Sequence, residues 1–142
     1  MMKKKNTDDL QNELSAAKNL TSFLYANQEQ FINDSFSAML QDLFQKSELS
    51  KAVLAKRAGT SEVYLYQIFS GERTPSRDKT ICLCYGLSAS LEETQELLKR
   101  SGLAQLYAKN RRDAIIIYGL VHKMELDAIN DRLFAEDEAT LC

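Results

Sequence analysis

The sequence predicts an all-α protein. Apolar residues recur at intervals of three and four along most of the chain, and capping and stop residues punctuate that pattern. The one dense β-branched run, "AIIIY" at Ala114 to Tyr118, lies inside a longer segment without hairpin punctuation. At 142 residues, with ordinary globular composition and a single proline, the chain suits one body with appendages rather than two globules or a disordered polymer. The expected division is a helical extension over 1–30, a core over 31–103 and a helix pair over 104–142 packed on that core.

The first helix begins at Thr7, with Leu10, Leu14 and Ala17 on one side and mostly polar residues elsewhere. So narrow a stripe needs a partner surface, either the body or a second subunit, and the sequence leaves both open. The core opens with Ile32, Phe36, Met39, Leu40, Leu43 and Phe44, which form a single inward stripe. Ser50 suits the cap of a next helix that stops at Gly59, where a left-handed residue ends a helix without a Cβ penalty. Another helix follows at once, capped by Thr60 or Ser61 and running to about Ser70 before Gly71. Ser76, after Pro75, opens a fourth that reaches about Tyr85. "SLEE" at Ser90 to Glu93 is a capping box, and "KRSG" at Lys99 to Gly102 is the matching basic, glycine-terminated exit of a fifth.

Beyond the fifth helix the sequence echoes itself at an offset of 35 residues. "RDKTI" at Arg77 matches "RDAII" at Arg112, and "SLEETQELL" aligns with "ELDAINDRL", so that Leu91 meets Leu126, Gln95 meets Asn130 and Leu98 meets Leu133. The pattern fits a helix pair used twice and stacked on itself, with the second pair leaning on the core because two copies do not make a self-supporting array. Two unrelated amphipathic pairs would give a similar echo.

The formal charge of −2 is unevenly spread. Residues 46–79 carry a net +3 and residues 80–112 a net +2, whereas residues 113–142 carry −5. An acidic whole still binds an anionic polymer when its positive groups share one face, because charges beyond a Debye length of about 8 Å are largely screened. The acidic end, "EDE" at Glu136 to Glu138, reads as a solvated terminus.

The basic segment holds a distinct unit of twenty residues, Lys51 to Ser70. It has a small residue fifth (Ala55), a glycine ninth (Gly59), and apolar residues fourth, fifteenth and eighteenth (Leu54, Leu65, Ile68). Ala55 lets two helices cross closely, Gly59 permits the turn, and the three apolar side chains lock the pair against its neighbours. With its tail "SGERTPSRD", this unit resembles the helix-turn-helix of the XRE family, the phage Cro and repressor type, over about Phe36 to Leu98. The resemblance implies a five-helix, lambda-repressor-like core with flanking helices, as in small bacterial proteins of that family. It also implies a DNA-binding transcriptional regulator, acting as a homodimer on double-stranded DNA.

On that resemblance, the helix from Ser61 to Ser70 enters the major groove. At about 100° per residue, Leu65, Ile68 and Phe69 point inward, while Val63, Tyr66, Gln67 and Ser70 point out and Glu62 and Tyr64 lie at the margins. Gln67 suits adenine, Glu62 the cytosine amine and Val63 a thymine methyl, and the hydroxyls of Tyr64 and Tyr66 suit phosphate or base. Lys51, Arg73, Arg77 and Lys79 are the expected phosphate contacts, which set register and salt dependence. Glu62 and the apolar neighbours depart from the family's usual polar, uncharged reading surface. An interaction module that retains the fold but binds a protein partner through Val63, Tyr64 and Tyr66 is the alternative.

Other chemistry finds no support. There is no phosphate-cradling glycine loop, nucleophile elbow or metal-ligand cluster, so no enzyme, cofactor or metal is expected. Cys82 and Cys84 lie about 200° apart on a helix, read as buried thiols, and with Cys142 suit a reducing compartment. His122 reads as a helix-end residue. No stretch approaches the roughly 18–20 apolar residues of a membrane helix, and "MMKKKNTDDLQNEL" has no signal-type apolar run, so a cytoplasmic location is expected.

Overall fold

The computed structural model describes residues 5–27 and 36–142. Ile32, counted above in the first core stripe, and the expected boundary between 30 and 31 lie outside the described residues. All regular structure among the described residues is helical, and no helix there is long and apolar enough to cross a membrane.

α1 (Thr7–Ala16) starts at Asn6, whose side-chain oxygen accepts the Asp9 N–H, and α2 (Leu20–Ala26) starts at Asn19 with the same bond to Ser22. α2 was not expected from the sequence, since seven residues give too little periodicity to stand out. The two helices touch each other and are joined at Asn27, which accepts from Lys5 Nζ at 2.7 Å and donates to Glu13 Oε2 at 3.0 Å. α1 buries none of its residues.

The core consists of α3 (Phe36–Ser47), α4 (Lys51–Arg57), α5 (Glu62–Ser70), α6 (Arg77–Gly86) and α7 (Leu91–Arg100). Ser50, Ser61, Ser76 and Ser90 each cap the following helix by accepting a backbone N–H three residues on. The box at Ser90 is complete, with its Oγ accepting the Glu93 N–H at 3.0 Å and its own N–H donating to Glu93 Oε1 at 2.8 Å. α4 packs on α5 and α6, and α3 packs on α5 and α7. Leu40, Leu54, Leu65, Leu97 and Leu98 meet in an interior closed to solvent.

α8 (Arg111–Val121) and α9 (Leu126–Ala135) extend the same apolar interior through Ile116, Leu120, Ile129 and Leu133. The sequence echo is a structural repeat. Arg77 Nε donates to the Ala104 carbonyl at 2.8 Å, and Arg112 Nε donates to the Ala139 carbonyl at 2.8 Å. Leu106 donates its N–H to Gln95 Oε1 at 2.7 Å, and Leu141 donates its N–H to Asn130 Oδ1 at 2.8 Å. Each hairpin turns through a left-handed residue at the equivalent place, Ser88 (φ 53°) and Lys123 (φ 56°).

The copies do not stack in one direction. Arg77 reaches Asp113 in the second copy and Arg112 reaches Asp78 in the first, while α6 packs on α9 and α7 on α8. Contacts exchanged both ways mark a two-fold-like, closed arrangement, whereas a solenoid would pass them along in a single direction.

Candidate nucleic-acid interface

The site is built on α4, the turn at Gly59 and α5. Gly59 has φ 65°, and the Thr60 N–H bonds back to the Ala55 carbonyl at 2.9 Å, which closes α4 and redirects the chain. A Cβ on Gly59 would stand 3.2 Å from Leu126 Cδ2 and 3.3 Å from Cys142 Sγ, so the second copy of the repeat packs directly against the turn. Behind α5, Leu54, Leu65 and Ile68 are fully buried. Phe69 is only half-buried, with its ring 5.1 Å from that of Phe44.

The outer arc of α5 runs through Glu62, Tyr66, Ser70, Val63 and Gln67. Val63 is 67% and Tyr66 53% exposed, and Gln67 is half-buried. Ser61 spends its hydroxyl as an acceptor on the cap.

Three of the expected cations flank this arc, each held over an aromatic ring. Lys51 Nζ lies 4.4 Å above the Tyr66 ring and 5.6 Å from that of Phe69. On the opposite margin, Arg73 and Lys79 approach the Tyr64 ring at 5.4 and 5.9 Å. Cation–π contact at such distances orients a side chain without neutralising it. The arc thus has a positive corner on either side.

Arg77 does not join this rim. Its guanidinium donates to the Ala104 and Gln105 carbonyls at 2.8 and 3.1 Å and to both oxygens of Asp113 at 3.2 and 2.9 Å. Only a quarter of its side chain is exposed, against 9% for Asp113. Burial alone would push the Asp113 carboxyl up. The hydrogen bonds from Arg77 and the Tyr107 N–H, with the charges of Arg77 and Arg112, outweigh it and hold the group below its ordinary value. Sequence neighbourhood put Arg77 with the expected phosphate contacts because it assigns a residue to an element without revealing what the fold brings opposite it, here the Asp113 carboxylate. The "RD" of both echo members carried the missing signal.

Cys82 and Cys84 are buried, and burial foremost pushes both thiols up to about 12, which keeps them neutral. His122 ends α8 with its ring 4.1 Å from that of Tyr118. Among the described residues no group of three or more His, Cys, Asp or Glu is arranged to hold a metal ion.

Residues 35–97 match a family model described as a helix-turn-helix domain, a stretch that takes in α3 to α6 and most of α7. No curated protein and no solved structure gives a significant match.

Proposed function

We propose that this helix-turn-helix protein is a sequence-specific DNA-binding transcriptional regulator of the XRE type, with α5 in the major groove. The observation that carries the reading is the pair of cationic corners, Lys51 on one margin of α5 and Arg73 with Lys79 on the other. A helix about 10–12 Å across fits a groove about 12 Å wide, and the two phosphate strands bounding that groove then meet a positive group on each side. The Ser61 to Ser70 segment spans too few base pairs for useful discrimination alone, so the protein acts as a homodimer on two half-sites.

Fluorescence anisotropy with a pool of random duplexes tests this reading. The expected result is binding that weakens steeply with salt and a recurring sequence among the retained duplexes; retention of no preferred sequence even at low salt rejects it.

A second reading rests on the exposure of Val63 and Tyr66 beside Glu62. Under it, the same arc grips a protein, and Tyr64→Ala with Tyr66→Ala abolishes capture of that partner. If both variants keep every captured partner, the second reading fails.

A further inference from the structure

If α5 lies in the groove as proposed, its side chains restrict which bases it reads. Between Ser61 and Ser70 there is no lysine, arginine or histidine. The neighbouring cations, Lys51, Arg73 and Lys79, sit over the Tyr66 and Tyr64 rings at the margins. A guanine edge presents two acceptors, N7 and O6, whose usual partner is a bidentate arginine or lysine. The arc of α5 has no such donor.

What it has is complementary to other edges. Glu62, the first residue of α5 and exposed, presents carboxylate oxygens that only accept. These repel a guanine edge and suit the exocyclic amine of adenine or cytosine. Val63 projects two methyl groups from the first turn, the part of a recognition helix nearest base edges, where the thymine 5-methyl is the apolar feature. Gln67 lies one turn further along the same face as Val63, so the two address neighbouring base pairs. Its amide supplies the donor and acceptor that match adenine N7 and N6.

We infer that α5 takes an A·T-rich half-site, reading thymine methyl groups through Val63 and an adenine edge through Gln67, and makes no direct guanine contact. This rests on the DNA reading above and narrows it to a class of sequence.

The experiment uses the full chain in a selection from random duplexes at low salt. The selected duplex is then remade with single thymines replaced by deoxyuridine, which removes the methyl and leaves the pairing intact. Enrichment of A·T pairs in each half-site is expected, with a three- to fivefold loss of affinity, roughly the transfer value of one buried methyl, for uracil at one position. The Val63→Ala protein, altered only at an exposed side chain, is expected to bind the thymine and uracil duplexes equally. Selection of G·C half-sites, or equal binding of thymine and uracil duplexes by the unaltered protein at every position, overturns the inference while DNA binding stands. Retention of no duplex overturns both.

Discussion

Arg77 grips Asp113 fork to fork across the two copies of the repeat, NH1 to Oδ1 at 3.2 Å and NH2 to Oδ2 at 2.9 Å. Arg112 returns the same grip on Asp78 at 3.1 and 3.2 Å. The first pair is the better shielded, since the Asp78 side chain is 41% exposed and that of Asp113 only 9%. Desolvation makes a paired charge costly to leave unpaired, so the Arg77 clasp matters more to stability than its mate.

Arg77→Ala is expected to lower unfolding stability by about 2–3 kcal/mol, because it strands the buried Asp113 carboxylate and leaves the Ala104 and Gln105 carbonyls without this donor. Arg112→Ala should cost less. Urea unfolding of the two variants beside the unaltered protein checks the order, and equal losses would contradict it.

Acid should weaken the same clasp. The folded-state pKa of Asp113 is lowered, so its contribution is fully present above the ordinary carboxylate value near 4 and is lost as pH falls through the lower folded-state value. Denaturation midpoints of the unaltered protein and Asp113→Asn are expected to differ most at neutral pH and to converge in acid. A gap that stays constant down to the acid limit would assign the stability to another group.

Gly119 is glycine because α6 approaches it closely. A Cβ there would fall 2.3 Å from the Tyr85 hydroxyl and 2.8 Å from Ile129 Cδ1. That hydroxyl donates to the Ile116 carbonyl at 2.7 Å. Gly119→Ala should destabilise by about 2–3 kcal/mol through overpacking, and Tyr85→Phe by about 1 kcal/mol through the lost hydrogen bond. The double variant is expected to be more stable than the sum of the two losses predicts, since removing the hydroxyl relieves the contact; strict additivity in a double-mutant cycle would count against it.

The rim and the clasp should separate in a salt titration of DNA binding. Lys51→Ala and Arg73→Ala are each expected to reduce the slope of log affinity against log salt by about 1, with stability nearly unchanged. Arg77→Ala is expected to lower stability and leave that slope intact at temperatures where the variant is folded. A slope change at Arg77 equal to that at Lys51 would return it to the phosphate contacts.

Local order was readable because its causes are local. Ser50, Ser61, Ser76 and Ser90 cap helices with groups three residues away, and Gly59 and Gly71 adopt positive φ where the stop signals stood. The outward arc of α5 followed from its periodicity alone. α2 escaped notice because a seven-residue helix carries little pattern, and the apolar stripe of α1 gave no indication that the helix buries nothing among the described residues.

By itself, then, the sequence determined where the core helices begin and stop and which side of α5 faces outward, and it carried an echo that the structure resolves into a helix pair used twice. Only the tertiary structure decided that Arg77 faces Asp113 rather than solvent, that Lys51 and Arg73 lie on opposite margins of α5, and that the two repeats grip each other reciprocally. A guanidinium takes whichever carboxylate the folded chain carries to it, here 36 residues downstream. Such a choice depends on how distant helices pack, and its one trace in the sequence is the "RD" repeated at Arg77 and Arg112.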